Sequence, residues 1–244
     1  MYHRNIRFSD GGRAVLIEPP DDAVISLTDA KKALGMSLSD ASQDAALTLA
    51  IAAASDVLDP AAGGWLGRAL RPQSWELQLP SFGAHSYRFH MSPRHPVGSH
   101  RIELPYPPLL SVDSVVYTDV NGVDQPLVLD TGYRVLGMGQ VYGKAMIAPL
   151  YGQSWPVARV DDASVRIQFT CGYDDDDAVM PATLKNAVII GARALLSIAT
   201  RDMTLLEDRV EGMGWKRYQN TPAVAQIVDK AIKGLLANLT IPAI

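Results

Sequence analysis

A single cysteine, Cys171, among 244 residues excludes an intramolecular disulfide and a zinc site built on cysteines. Its expected place is the buried end of a strand. An excess of basic charge is also missing. Twenty-two Lys and Arg stand against 26 Asp and Glu, a net charge of −4, which argues against tight, sequence-independent binding of nucleic acid. An acidic wall that DNA merely passes remains compatible with it. No apolar run is long enough to span a bilayer, so no membrane partner is expected. Charged and polar residues interrupt every apolar run near the start, so no secretory signal is expected either. The expected compartment is a reducing cytoplasm, or an assembly built there.

The signatures of common chemistry are missing too. GMGQVYG at 137–143 has glycines but no Lys-Ser pair and no strand-to-helix setting, so it is no phosphate loop. There is no G-x-S-x-G elbow and no H-E-x-x-H helix. His85, His90, His95 and His100 lie in a stretch with Pro, Gly and Ser. That composition predicts a solvated insertion over 81–100 rather than ligands on one element. Asp174–Asp177 lacks the alternating ligands and closing Glu of a calcium loop. It reads as acidic residues favouring the N-terminus of the next helix. The expectation is a chain with no enzyme activity, no metal and no cofactor.

What is present has an order. Residues 1–25 read as an arm, loose or ordered by a neighbour. A short helix is predicted over 26–34, with Thr28 as cap and Gly35 as stop. A longer one, capped by Ser39 or Asp40, runs to about Leu58, its alanines letting a partner helix approach closely. Trp65–Leu70 reads as a further short helical piece. β character begins at Ser74, where Trp75, Leu77 and Leu79 alternate with Glu76 and Gln78. Ile102 and Leu104 begin another alternation, which Pro105, Pro107 and Pro108 end, since proline gives no N–H to a ladder. Val112–Asp119 and Gln125–Leu129 then form a hairpin through Asn121-Gly122. Tyr133–Leu136, Met146–Ala148 and Val165–Cys171 are further strands. Tyr151 and Trp155 read as exposed aromatics in a turn. A well-packed helix is predicted over 182–200, with Pro181 at its first position.

Residues 201–220 read as a polar linker carrying a basic-aromatic knot, Trp215, Lys216, Arg217 and Tyr218. Thr221 and Pro222 open a last helix with a stripe of Val224, Ile227, Val228, Ile232, Leu235, Leu236 and Leu239. Burying six such side chains is worth on the order of 10 kcal/mol gross, so the stripe has to find cover, on its own chain or on another. The fold class expected is α+β: a helical bundle with an inserted β-rich subdomain and a C-terminal amphipathic helix. The expected division is a 1–25 arm, a 26–72 and 178–202 helical core, a 73–177 β subdomain, and a 203–244 linker and helix.

The order of short runs resembles the head–tail connector (adaptor) proteins of long-tailed double-stranded DNA phages and gene transfer agents. The runs are ISLTDAKKALG at 25–35, LGRAL at 66–70, SWELQLPSF at 74–82, IELPYPPLLSVDSVVYTDVNGV at 102–123, YRV at 133–135 and YGQSWP at 151–156. VRIQFTCGYDDDDAVMPATLKNAVIIGARAL at 165–195, RVEGMG at 209–214 and the last helix to LLANL complete them. The insertions at 60–65 and 83–100 and the N-terminal arm depart from the family. The resemblance implies a structural protein of the virion neck, made in the host cytoplasm. It implies a homo-oligomeric ring, usually a dodecamer, below the portal, extending the DNA channel and offering a platform to the stopper or tail. It implies double-stranded DNA passing without sequence specificity during packaging and ejection. It also implies portal contacts through the C-terminal segment, here Trp215, Lys216, Arg217, Tyr218, Val224, Ile227, Val228, Ile232, Leu235 and Leu236. The competing expectation for that helix is packing within its own chain, and for Lys216 and Arg217 an exposed charge pair. Two other functional readings stand beside the connector. One is a β-rich sugar- or peptide-binding module with a pocket near Trp75, Tyr142 or Trp155. The other is a metal-dependent enzyme using the histidine stretch.

Overall fold

A computed structural model describes residues 5–7, 12–83, 101–174, 178–199, 207–210, 214–217 and 222–241. In chain order the elements are β1 (Asn5–Arg7), β2 (Arg13–Glu18), α1 (Leu27–Leu34), α2 (Asp44–Asp56), β3 (Gln73–Leu79), β4 (Ile102–Glu103), β5 (Leu109–Thr118) and β6 (Asp124–Leu127). They continue with β7 (Arg134–Leu136), β8 (Met146–Ala148), β9 (Val165–Cys171), α3 (Ala182–Ala199), β10 (Glu207–Val210), β11 (Gly214–Arg217) and α4 (Pro222–Leu236). The fold is mixed α+β, and every strand pairing is antiparallel. The chain forms two compact units. One holds 1–22, 58–180 and 239–244; the other holds 23–57 and 181–238.

The first unit is built on a six-stranded sheet, ordered β1-β2-β3-β9-β5-β6, with a three-stranded sheet, β4-β8-β7. Alternation decides which residues go inside. Trp75, Leu77 and Leu79 of β3 and Val165, Ile167, Phe169 and Cys171 of β9 are buried, because successive side chains of a strand point to opposite faces. Ile102, Leu104, Tyr106, Tyr133 and Ile147 join them in one core. Trp75 lies 4.6 Å from Tyr106, and Trp155 stacks on Phe82 at 4.6 Å.

Several expectations change here. Part of the segment read as an arm is sheet: β2 pairs along β3, and Ala14 is fully buried. Its run Ala14–Ile17 is apolar at every position, so it shows no alternation from which a buried face could be read. Residues 65–70 form no helix. They follow an irregular path fixed by the buried carboxylate of Asp59, which accepts the N–H of Ala61 and of Leu70, both at 2.8 Å, and the Gln73 side-chain amide at 3.2 Å. The hairpin after β5 has a five-residue loop, 119–123, rather than a two-residue turn. Asp119 accepts the N–H groups of Asn121 (2.8 Å) and Val123 (3.0 Å), and this local bonding prevails over the tight turn. Trp155 is buried, whereas Tyr151 is almost fully exposed, as expected.

In the second unit α3 packs on α1, α2 and α4. Ser26, not Thr28, caps α1, accepting the Asp29 N–H at 3.1 Å, and Gly35 closes it at φ 69°. Neither Ser39 nor Asp40 caps α2, which starts after Gln43 with no side-chain cap bond. The Asp40 carboxylate is engaged by the Ser42 N–H, and its carbonyl by Lys31 Nζ at 2.7 Å. Lys31 is buried and pairs with Asp44 in the first turn of α2, which joins the two helices. The alanines of α2 do admit a partner. A Cβ placed on Gly191 of α3 would stand 3.1 Å from Ala54 Cβ, closer than most such contacts, so glycine sets the spacing.

Candidate interaction surfaces

The residues expected to meet a partner divide into three groups. Tyr218 lies outside the described residues. Trp215, Lys216 and Arg217 lie on β11, where the sequence had shown only a linker. The register sets Trp215 opposite Arg209, Lys216 opposite Asp208 and Arg217 opposite Glu207. The missed signal was this order of charges, acids before the glycines and bases after them. Val224, Ile227, Val228, Ile232, Leu235 and Leu236 lie on α4. Leu236 is fully buried, Val228 and Ile232 are half-buried, and Leu235 is 39% exposed. Ile232 Cδ1 lies 3.8 Å from the position a Gly191 Cβ would take. The C-terminal half of α4 is therefore covered by α3, within its own chain.

Beyond α4 the chain returns to the first unit. Ile241 donates its N–H to the Leu66 carbonyl at 3.0 Å. Arg68, itself buried, donates Nε to the Leu239 carbonyl at 2.7 Å and Nη1 to the Val141 carbonyl and to the Tyr173 hydroxyl. Gly67 between them has φ 70°, and a Cβ there would lie 2.3 Å from the Ile241 carbonyl oxygen. The notch accepts the tail because Gly67 has no side chain. Burial pushes the Tyr173 phenol above its ordinary pKa, with Arg68 pulling the other way.

The outward face of the six-stranded sheet is a hydrogen-bonded polar layer. Arg13 donates to Gln78 and Gln78 to Glu76. Gln168 donates to Glu76 at 3.0 Å, Thr170 to Asp113 at 3.0 Å and Ser111 to Asp113 at 2.6 Å. Arg166 pairs with Asp124. Hydrogen bonds from Thr118 and then Arg166 hold the Asp124 carboxyl below its ordinary pKa.

At one end of this sheet two loops lie side by side. Asp119 bridges to Ala158, and Arg159 donates its N–H to the Thr118 carbonyl at 2.9 Å. Val120, Val123, Val157 and Val160 on these loops are between 54% and 81% exposed. Arg159 and Asp161 pair at 3.7 Å, and Asp162 is exposed beside them. The loop is held by Asp119, whose pKa is lowered first by the Val123 N–H.

The features that supported other chemistries fall differently. The four histidines of 85–100 and Asp175–Asp177 lie outside the described residues. Among the described residues no group of His, Cys, Asp and Glu is placed to hold a metal. Trp75 and Trp155 are core residues, and only Tyr142 of the three proposed pocket aromatics is exposed. Cys171 is fully buried, and burial raises its thiol pKa well above the ordinary value. It has no thiolate character to offer.

Two units of discontinuous sequence, one a pair of antiparallel sheets and one a set of packed helices, define the fold class. Neither a family model nor a curated protein matches the chain. Solved structures do. A chain in the neck of an empty gene transfer agent (GTA) particle, computed with C6 symmetry, has a TM-score of 0.59 at 18% identity, covering 95% of this chain and 97% of that one. A chain in the virion of a native gene transfer agent particle has a TM-score of 0.58 at 16% identity, with the same coverage. A chain in the neck of a native GTA particle, computed with C12 symmetry, has a TM-score of 0.50 at 21% identity, covering 94% and 97%. The fold of this chain is the fold of those chains.

Proposed function

We propose that the chain is a non-enzymatic structural protein of the neck of a virus-like particle, and acts there as a head–tail connector. One observation carries this reading: the likeness to neck chains runs over nearly the whole of both chains, at a TM-score of 0.59. In the terms of the connector family, the helical unit is a bundle and the β-rich unit a subdomain inserted into it. Twelve copies, or another symmetric number, form a ring below the portal. The ring extends the DNA channel and receives the stopper or tail. The symmetry applied to the similar necks supports a ring, and a ring needs two different contact faces on each copy. An overall charge of −4 suits a channel that DNA slides through, since acidic walls repel phosphate.

The portal contact narrows to the accessible part of the expected set. Leu236 is buried within its own chain, whereas Leu235 on α4 is open to a partner. Electron microscopy of purified particles, with mass spectrometry of their proteins, tests the role. Density for this chain at the head–tail junction is the expected result. Its absence from assembled particles would end the proposal.

A further inference from the structure

We propose that the outward face of α2 packs against the outward face of α3 in a second copy of this chain. The inference rests on the ring reading above and names the two helix faces that would join neighbouring copies. Asp44, Thr48, Ser55 and Asp56 are the polar positions of α2, and every other residue in it is apolar. A helix that is apolar all round belongs in an interior. Here only one side is covered. Leu47, Ala50, Ile51 and Ala54 are buried, and Ala54 meets Gly191 of α3. On the other side Leu49 is 71% exposed, and Val57, at the helix end, is 59% exposed. Ala45, Ala46 and Ala52 are exposed with them. The face cannot turn inward without giving up the contact between Ala54 and Gly191.

The charges of the two helices say what covers it. α2 holds two acids and no base. Asp44 is paired with Lys31. Asp56 is exposed in the bare face and has no ionic partner among the described residues. α3 is the reverse, with Lys185 and Arg193 and no acid. Both cations are exposed and lack an ionic partner among the described residues. Between them Ile189 and Ile190 are half-buried. Ile189 stands four residues from each cation, as Ala52 stands four residues from Asp56. Residues four apart share one helix face, about 6 Å along the axis. Setting Ile189 on Ala52 therefore brings a cation to Asp56 in either direction: Arg193 if the helices run parallel, Lys185 if antiparallel. The alanines of α2 allow the close approach. Within one copy α2 and α3 already pack through their other sides, so only a neighbour can make this contact. The two faces differ, so the contact is head-to-tail, the kind that closes into rings.

Charge reversal and cross-linking in assembled particles test this. Asp56→Arg should cut incorporation of the chain at least tenfold. It should leave the melting temperature of the isolated chain unchanged, since Asp56 has no ionic partner among the described residues of its own copy. Adding Arg193→Glu should restore incorporation if the helices are parallel, and adding Lys185→Glu if they are antiparallel, because every junction then carries the reversed pair. The one natural cysteine is buried, so introduced pairs report cleanly. Chains carrying both Ala52→Cys and Ile189→Cys should give, on oxidation, a ladder of linked copies. The inference is overturned if Asp56→Arg incorporates normally, if neither second substitution restores incorporation, or if the paired cysteines give no ladder in particles that contain the chain. It is equally overturned if Ala52→Cys alone links copies, which would set α2 on α2, or if it links to a different protein. Absence of the wild-type chain from particles would instead remove the ring reading itself.

Discussion

Replacing Gly67 by alanine should release the C-terminal tail. Two independent costs meet at this residue. Its φ of 70° places an L-residue in the left-handed region, at roughly 1–2 kcal/mol. The new Cβ would also stand 2.3 Å from the Ile241 carbonyl oxygen, a distance that backbone cannot tolerate, so residues 239–241 must leave. Their departure breaks the Ile241–Leu66 bond, worth about 1 kcal/mol net, and the bond from buried Arg68 to the Leu239 carbonyl, worth about 1.5–3 kcal/mol. The expected loss is about 3–6 kcal/mol, a large part of the stability of an ordinary domain. Denaturant unfolding would measure it, and hydrogen exchange at the Ile241 amide would locate it. A chain ending at Asn238 supplies the control. In that background Gly67→Ala should cost only the left-handed strain, about 1–2 kcal/mol. An unchanged Ile241 amide, with a stability loss below about 1 kcal/mol, would refute the reasoning.

Other outcomes follow from the same geometry. Gly191→Leu should push α3 from α2 and cost about 1–3 kcal/mol by overpacking against Ala54, read from the denaturation midpoint; a neutral result would mean the helices are not in close contact. Asp59→Asn should be nearly as damaging as Asp59→Ala, about 2–5 kcal/mol, because the carboxylate faces backbone and amide donors and the new NH2 would oppose them. Cys171 should resist thiol reagents in the native protein and react on unfolding; prompt native labelling would contradict its burial. The Asp119 carboxyl should titrate below its ordinary value of 3.8. With the folded pKa depressed, the order it gives the 119–123 loop is complete above that value and is lost as pH falls through the folded pKa. Carbon-detected NMR titration would show it, and a midpoint at or above 3.8 would count against the loop geometry.

Periodicity made the strands legible. Gln73–Leu79 and Val165–Cys171 alternate so regularly that their buried faces could be named in advance, and the two are direct neighbours in the sheet. The alanines of α2 likewise pointed to a closely packed partner helix, which is α3. What escaped was set by single polar side chains acting at a distance. Asp59 bends a stretch that has helical composition, and Asp119 converts a two-residue turn into a longer loop. β2 was hidden because its order comes from β3, far along the chain. The candidate partner residues came from the family resemblance, and neither it nor the helical pattern could tell that Leu236 is covered by its own chain while Leu235 is 39% exposed. The β10–β11 hairpin was missed because short charged strands carry almost no hydrophobic signal. A chain cut at Gly214 would lose the α4 helix and the tail together. Such a cut removes the cover of α3 and the tail seated at Gly67.

The strand order β1-β2-β3-β9-β5-β6 has a consequence for how the protein is made. β9 is central to the sheet, yet it is the last of its six strands to leave the ribosome. Residues that meet across β3 and β9, such as Glu76 and Gln168, are separated by 92 positions. At about 5–20 residues per second, the β1–β3 and β5–β6 portions wait on the order of ten seconds with facing edges unpaired. Any nascent neighbour that offers a strand in that interval competes with β9 for its place. Synthesis of several copies close together therefore puts a premium on chaperones that shield these edges until Cys171 has emerged.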